Sequence, residues 1–142
     1  MKTGDSFKKR YWPLVLWSFL LVPFMLGVCL LFKGRAEEEA LLRPMLAVTI
    51  LAVDFLLFLV WKLEAVYWFS GGPDFEAAKA AGSEKRKEYA WQHLKRFLIV
   101  TAVLLVWLTF SAFDRWPVLA DILVFVIAMS GAAISTVRIR FN

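Results

Sequence analysis

Two carboxylates stand where carboxylates are expensive. Asp54 falls near the middle of the apolar run Leu51-Ala52-Val53-Asp54-Phe55-Leu56, and Asp121 sits about one turn into a later apolar stretch. An ionisable group at the centre of a bilayer costs at least about 2.5–3.5 kcal/mol, so it faces other helices or a wet path rather than lipid. Two kinds of chemistry suit such a group. One is proton or cation coupling, which makes Asp54 and Asp121 the candidate transport sites. The other is hydrogen bonding between helices, with Asp54 meeting Thr49, Thr101 or Thr109. No Lys or Arg lies mid-run to neutralise Asp54, so a protonated, hydrogen-bonding side chain is expected there. Asp121 either reaches outward or meets Arg115 or Arg43.

Nothing else in the chain has the spacing of a reaction centre. The single cysteine, Cys29, excludes an internal disulfide, a CxxC pair and a multi-cysteine metal cluster, and it reads as a small apolar residue. The single histidine, His93, lacks a carboxylate three or four residues away, and no nucleophile lies beside it in sequence. Gly71-Gly72-Pro73 has neither the GxxxxGK[ST] spacing nor a preceding strand, so it is no phosphate loop. An enzyme, a cofactor and a bound metal are therefore not expected.

The elements that hold these residues are legible from hydropathy. Of 142 residues 61% are apolar, above the roughly 45–50% of soluble domains. Four apolar stretches, 11–32, 41–61, 97–113 and 117–137, approach or exceed the roughly 17–25 residues that cross a bilayer as a helix. The roughly ten-residue alternation of barrel strands is absent. The expected fold is an all-α integral membrane protein, one domain over 1–142, with four transmembrane helices in a bundle and a short helical loop, 62–96, between the second and third. The first stretch has a basic flank but no small-residue cleavage site after it, so it is expected to remain as a span. Pro23 should kink it.

Flanking charge orients the helices. Lys and Arg number 13 on the side that carries both termini and the 62–96 loop, against 4 on the other. The positive-inside rule then places both termini in the cytoplasm, in a multi-pass protein of the plasma membrane. The acidic run Glu37-Glu38-Glu39 falls outside, which the rule permits because acidic residues count for little. Topology also accounts for the formal net charge of +5, so a nucleic-acid partner is not expected.

Within the loop, Gly71 and Gly72 end the extension of the second span and Pro73 suits the first turn of a new helix over 74–81. Gly82 closes that helix and Ser83 is the expected N-cap of the next, which should run unbroken into the third span. Lys85, Arg86, Lys87, Trp91, His93 and Arg96 are the candidate contacts to anionic lipid headgroups or to a cytoplasmic partner. The alternative is that these cations do no more than fix topology. On the fourth span Ala128, Gly131, Ala132 and Ser135 form a small-residue face suited to close helix packing.

Two functions fit this pattern. One is a transporter or channel component with Asp54 on its polar path. The other is a non-catalytic accessory membrane protein whose basic 64–96 segment docks a partner or anionic lipid. Four short spans leave little room for a private aqueous path, so transport would call for a homo-oligomer or a larger complex.

Overall fold

The computed structural model describes residues 7–34 and 41–141. Lys2, Arg35 and the acidic run Glu37-Glu38-Glu39, which enter the charge argument, lie outside the described residues. Among the described residues there are five α-helices and no strand: α1 (Trp12–Phe32), α2 (Leu42–Leu63), α3 (Phe75–Ala81), α4 (Ser83–Phe113) and α5 (Val118–Val137). A short 3₁₀ turn, Val66–Trp68, follows α2. Four of the helices, α1, α2, α4 and α5, are long and apolar enough to cross a membrane.

Local sequence explains where these helices begin and end. Pro13 sits in the first turn of α1, where a missing N–H costs nothing. The helix continues through Pro23, which leaves one backbone carbonyl a turn earlier without its amide partner. α2 stops at Glu64, which adopts a left-handed backbone with φ of 56°, a conformation that costs a non-glycine residue about 1–2 kcal/mol. α4 has 31 residues and spans about 46 Å at 1.5 Å per residue. That exceeds a hydrocarbon core of about 30 Å, and its charged first part, 83–96, precedes the apolar stretch that begins at Phe97.

Two details of the 62–96 loop differ from the sequence expectation. Pro73 lies outside α3, whose N-cap is Asp74: its Oδ1 accepts from the Ala77 amide at 2.7 Å. Ser83 is the first residue of α4 rather than its cap. Gly82, with φ of 83°, occupies the cap position, and the Ser83 hydroxyl is drawn away to Glu64 Oε1 at 2.6 Å. The hydroxyl donates to that carboxylate in a charge-assisted bond, and the cap position falls to Gly82, whose positive φ glycine adopts without strain.

α2 is the central element, with α1, α4 and α5 packed on it and α5 also on α4. At one end, Leu14 of α1, Val60 of α2, Val66, Ala78 of α3, Tyr89 of α4 and Ile139 join in one apolar core. This loop end therefore gathers the segment before α1, the α2–α4 connection and the segment after α5. At the opposite end Arg43, Trp107, Trp116 and Asp121 tie α2, α4 and α5 together. α1 buries only Leu14 and leaves Phe19, Leu20, Val22, Phe24, Leu30 and Leu31 exposed. A helix that apolar on its outer face is stable against lipid tails and costly against water.

The small-residue face of α5 is narrower than the sequence suggests. Ala132 is buried, Ala128 and Ser135 are half-buried, and Gly131 is exposed. A side chain added at Gly131 would meet nothing within 4 Å. Residues advance about 100° each around a helix, so Gly131 sits at the edge of this stripe, a full step round from the buried Ala132.

Candidate functional site

Asp54 is 7% exposed on the face of α2 that packs against the other helices. Neither carboxyl oxygen has a hydrogen-bond partner. Thr49 and Thr109, both candidate partners, turn back on their own helices instead: their hydroxyls donate to the carbonyls of Met45 and Leu105, each at 2.8 Å. In a low-dielectric interior a threonine hydroxyl finds the carbonyl one turn earlier without any tertiary cost. Thr101 on α4 is buried, and its hydroxyl lies within reach of the Asp54 carboxyl without completing a hydrogen bond. Asp54 and Thr101 thus form a pair of unsatisfied polar groups between α2 and α4. Such groups cost about 1–3 kcal/mol each when left unpaired. The principal cavities among the described residues are lined by other side chains.

Asp121 is the opposite case. It is fully buried, its Oδ2 accepts from Arg43 Nε at 2.7 Å, and its Oδ1 accepts from Trp107 Nε1 at 3.1 Å. Arg43 also donates to the Trp116 carbonyl. Arg115, the other prospective partner, is exposed and takes a left-handed backbone with φ of 54°. With one bond to each oxygen, Asp121 joins α5 to Arg43 of α2 and Trp107 of α4. The charge on Arg43 is what makes its burial tolerable.

At the loop end, the candidate lipid or partner contacts separate into two groups. Arg86 is 1% exposed, which removes it from the surface. It pairs with Glu64 Oε2 through Nε and Nη2, both at 2.8 Å, and donates through Nη1 to the Ala78 carbonyl at 2.9 Å. Its guanidinium also lies 3.9 Å from the centre of the Phe7 ring. His93 is buried too, stacked on Phe69 with ring centres 4.2 Å apart, and its Nδ1 faces the Tyr89 carbonyl at 2.9 Å. Burial, ahead of the nearby Arg96 charge, holds the His93 imidazole below the ordinary histidine range. Arg96 is half-buried and donates to the Ser135 carbonyl near the end of α5.

Lys85, Lys87 and Trp91 remain exposed. Lys87 lies 3.6 Å from Glu64 Oε1, so that one carboxylate gathers Arg86, Ser83 and Lys87. These bonds offset the strained backbone of Glu64 and fix the start of α4 against the end of α2. Lys9 lies over the Tyr11 and Phe75 rings, and its ammonium is held above its ordinary value by a hydrogen bond to Tyr11.

Sequence reasoning did not single out Glu64, Trp107 or Arg140. Glu64 carried no usable signal, because it stands between Leu63 and the apolar stretch Ala65-Val66-Tyr67-Trp68-Phe69, far in sequence from Arg86. Trp107 carried none, because a tryptophan within a span looks the same whether it faces lipid or a carboxylate. Comparison with protein-family models, with characterised proteins and with solved structures yields no match to this chain.

Proposed function

We propose that this chain is a non-catalytic accessory protein of the membrane, a four-helix transmembrane bundle that presents a basic cap on its cytoplasmic side. The Arg86–Glu64 pair carries this reading. A buried ion pair fixes the junction of α2, α3 and α4, and a fixed junction holds Lys85, Lys87 and Trp91 outward as one surface. In a juxtamembrane position each such cation attracts acidic headgroups by about 1 kcal/mol. The positive-inside count supports the orientation, with both termini and the cap in the cytoplasm of a plasma-membrane protein.

The second reading is transport, and the unpaired Asp54 carboxyl favours it. A carboxyl that no protein group satisfies is available to a proton or cation, and a homo-oligomer would supply the path that one chain lacks. Reconstitution separates the two. Proteoliposomes loaded with a pH-sensitive dye and given an imposed potential should show no proton or cation flux above that of empty vesicles. A flux that Asp54→Asn abolishes, with the melting temperature unchanged, would replace the accessory reading by transport.

A further inference from the structure

One stripe of α4 changes chemistry in order as it descends. Lys85, Tyr89, His93 and Phe97 follow at intervals of four residues, so they share a face over about 18 Å. Two cavities open along that stripe and share Tyr89 as a wall. The first, about 270 Å³, is polar and is lined by Lys85, Glu88, Gln92 and Arg140 as well. The second, about 480 Å³, is mostly apolar and runs between Leu57, Phe69, His93, Phe97 and Thr136. Its volume falls within the roughly 300–1,000 Å³ of ligand pockets. Beyond the end of α5, Phe141 lines the first cavity and Ile139 the second, with the Phe141 ring edge-on to Tyr89 at 5.1 Å between centres.

His93 adds a polar group to the wall of the second cavity. The ring is 6% exposed, and Nδ1 is committed to the Tyr89 carbonyl. As the donor there, Nδ1 carries the proton of the neutral ring, which leaves the Nε2 lone pair as an acceptor. Among the described residues no donor meets Nε2. On the wall of the second cavity, that lone pair is open to a hydroxyl or amide proton from whatever fills the cavity.

We propose that the paired cavities hold one anionic phospholipid. Its phosphate sits between Lys85 and Arg140, a hydroxyl of its headgroup or glycerol region reaches His93 Nε2, and one acyl chain fills the apolar cavity beside Phe97. The order cation, phenol and amide, imidazole, phenyl along α4 matches the order phosphate, glycerol, hydrocarbon along such a lipid. Glu88 on the rim opposes the two cations, so the local balance favours one phosphate charge rather than a polyanion. The location also fits, because Phe97 is where the apolar part of α4 begins. This inference rests on the orientation proposed above, which puts the basic end at the anionic leaflet.

Native mass spectrometry of the whole chain, extracted from vesicles of four parts phosphatidylcholine to one part phosphatidylglycerol, tests the site. The wild type should retain one phosphatidylglycerol per chain, at least tenfold over its share in the vesicle. Lys85→Gln/Arg140→Gln should bring retention back to that share, and Thr136→Trp should lower it by filling the acyl cavity. Lys95→Gln, an exposed cation outside the site, should leave it unchanged. Retention in proportion to vesicle composition by the wild type overturns the proposal without any variant being needed. An equal loss in Lys95→Gln also overturns it, since that is general attraction to a basic surface. Neither result depends on flux, so a failed lipid site leaves the accessory reading standing. Conversely, a flux through Asp54 leaves the lipid site intact.

Discussion

A single buried polar residue can be unpaired for want of a partner or because the partner was not part of the chain, and Asp54 and His93 show the difference. Neither Asp54 carboxyl oxygen has a partner, whereas His93 commits Nδ1 to the Tyr89 carbonyl and lies on a cavity wall. His93 also has a pH consequence. Its folded value is depressed by burial, so the fold binds the neutral ring. The stability this gives is complete above the unfolded value of about 6.5 and is lost as pH falls from there through the lower folded value. Melting temperatures in detergent at about pH 7.5 and pH 5 should therefore differ less for His93→Gln than for the wild type. An equal drop in both proteins would show that the ring titrates without consequence. That His93 is buried could not be read from its neighbours Lys95 and Arg96, because the side that faces Phe69 is set by the loop after α2.

Helix faces are set by neighbours, and α5 illustrates how. The pattern Ala128, Gly131, Ala132, Ser135 was legible as a small-residue stripe, yet the packed line is Ala128, Ala132 and Ser135. Leu in place of the buried Ala132 should overpack the inner face of α5 and cost about 1–3 kcal/mol. Leu in place of Gly131 should leave the melting temperature of the single chain unchanged, because its Cβ enters open space. Size-exclusion chromatography of the two variants alongside the melts makes the comparison informative. A Gly131→Leu chain that loses a dimer would assign that edge of α5 to a second copy. The connection between α2 and α3 is tighter: a Cβ at Gly72 would come within 2.8 Å of the Val66 carbonyl oxygen, so only glycine closes the turn without displacing backbone.

The whole molecule is fastened at both ends by ion pairs, one at the loop end and one opposite. Arg86–Glu64 joins the junction of α2, α3 and α4, and Arg43–Asp121 with Trp107 joins α2, α4 and α5. Removing one member of a buried pair strands the other charge, typically at about 3–5 kcal/mol, whereas an apolar replacement of both is often neutral. Arg43→Met should therefore destabilise the chain by about 3 kcal/mol or somewhat less, since Arg43 keeps 17% of its side chain exposed. Arg43→Met/Asp121→Leu should recover most of that loss. A double variant as unstable as the single would mean that Trp107 and the Trp116 carbonyl, rather than the charge pair, hold this end. Thermal melts of the four proteins complete the cycle.

The existence, number and approximate limits of the four apolar helices were determined by the sequence alone, because burial in lipid demands a run of apolar residues whatever the neighbours are. The unbroken passage of α4 from its charged start into the apolar stretch was legible as well, since nothing between Glu84 and Phe113 breaks a helix. Pairing was not. That Asp121 takes Arg43 and not Arg115, that Arg86 turns inward to Glu64 while Lys85 and Lys87 face out, and that Asp54 finds no hydroxyl were decided by how the helices rotate against one another. A helix nearly uniform in hydropathy has no preferred rotation written in its period. The direction each polar group faces is settled only when ion pairs and close contacts at the two ends fix the helices in register.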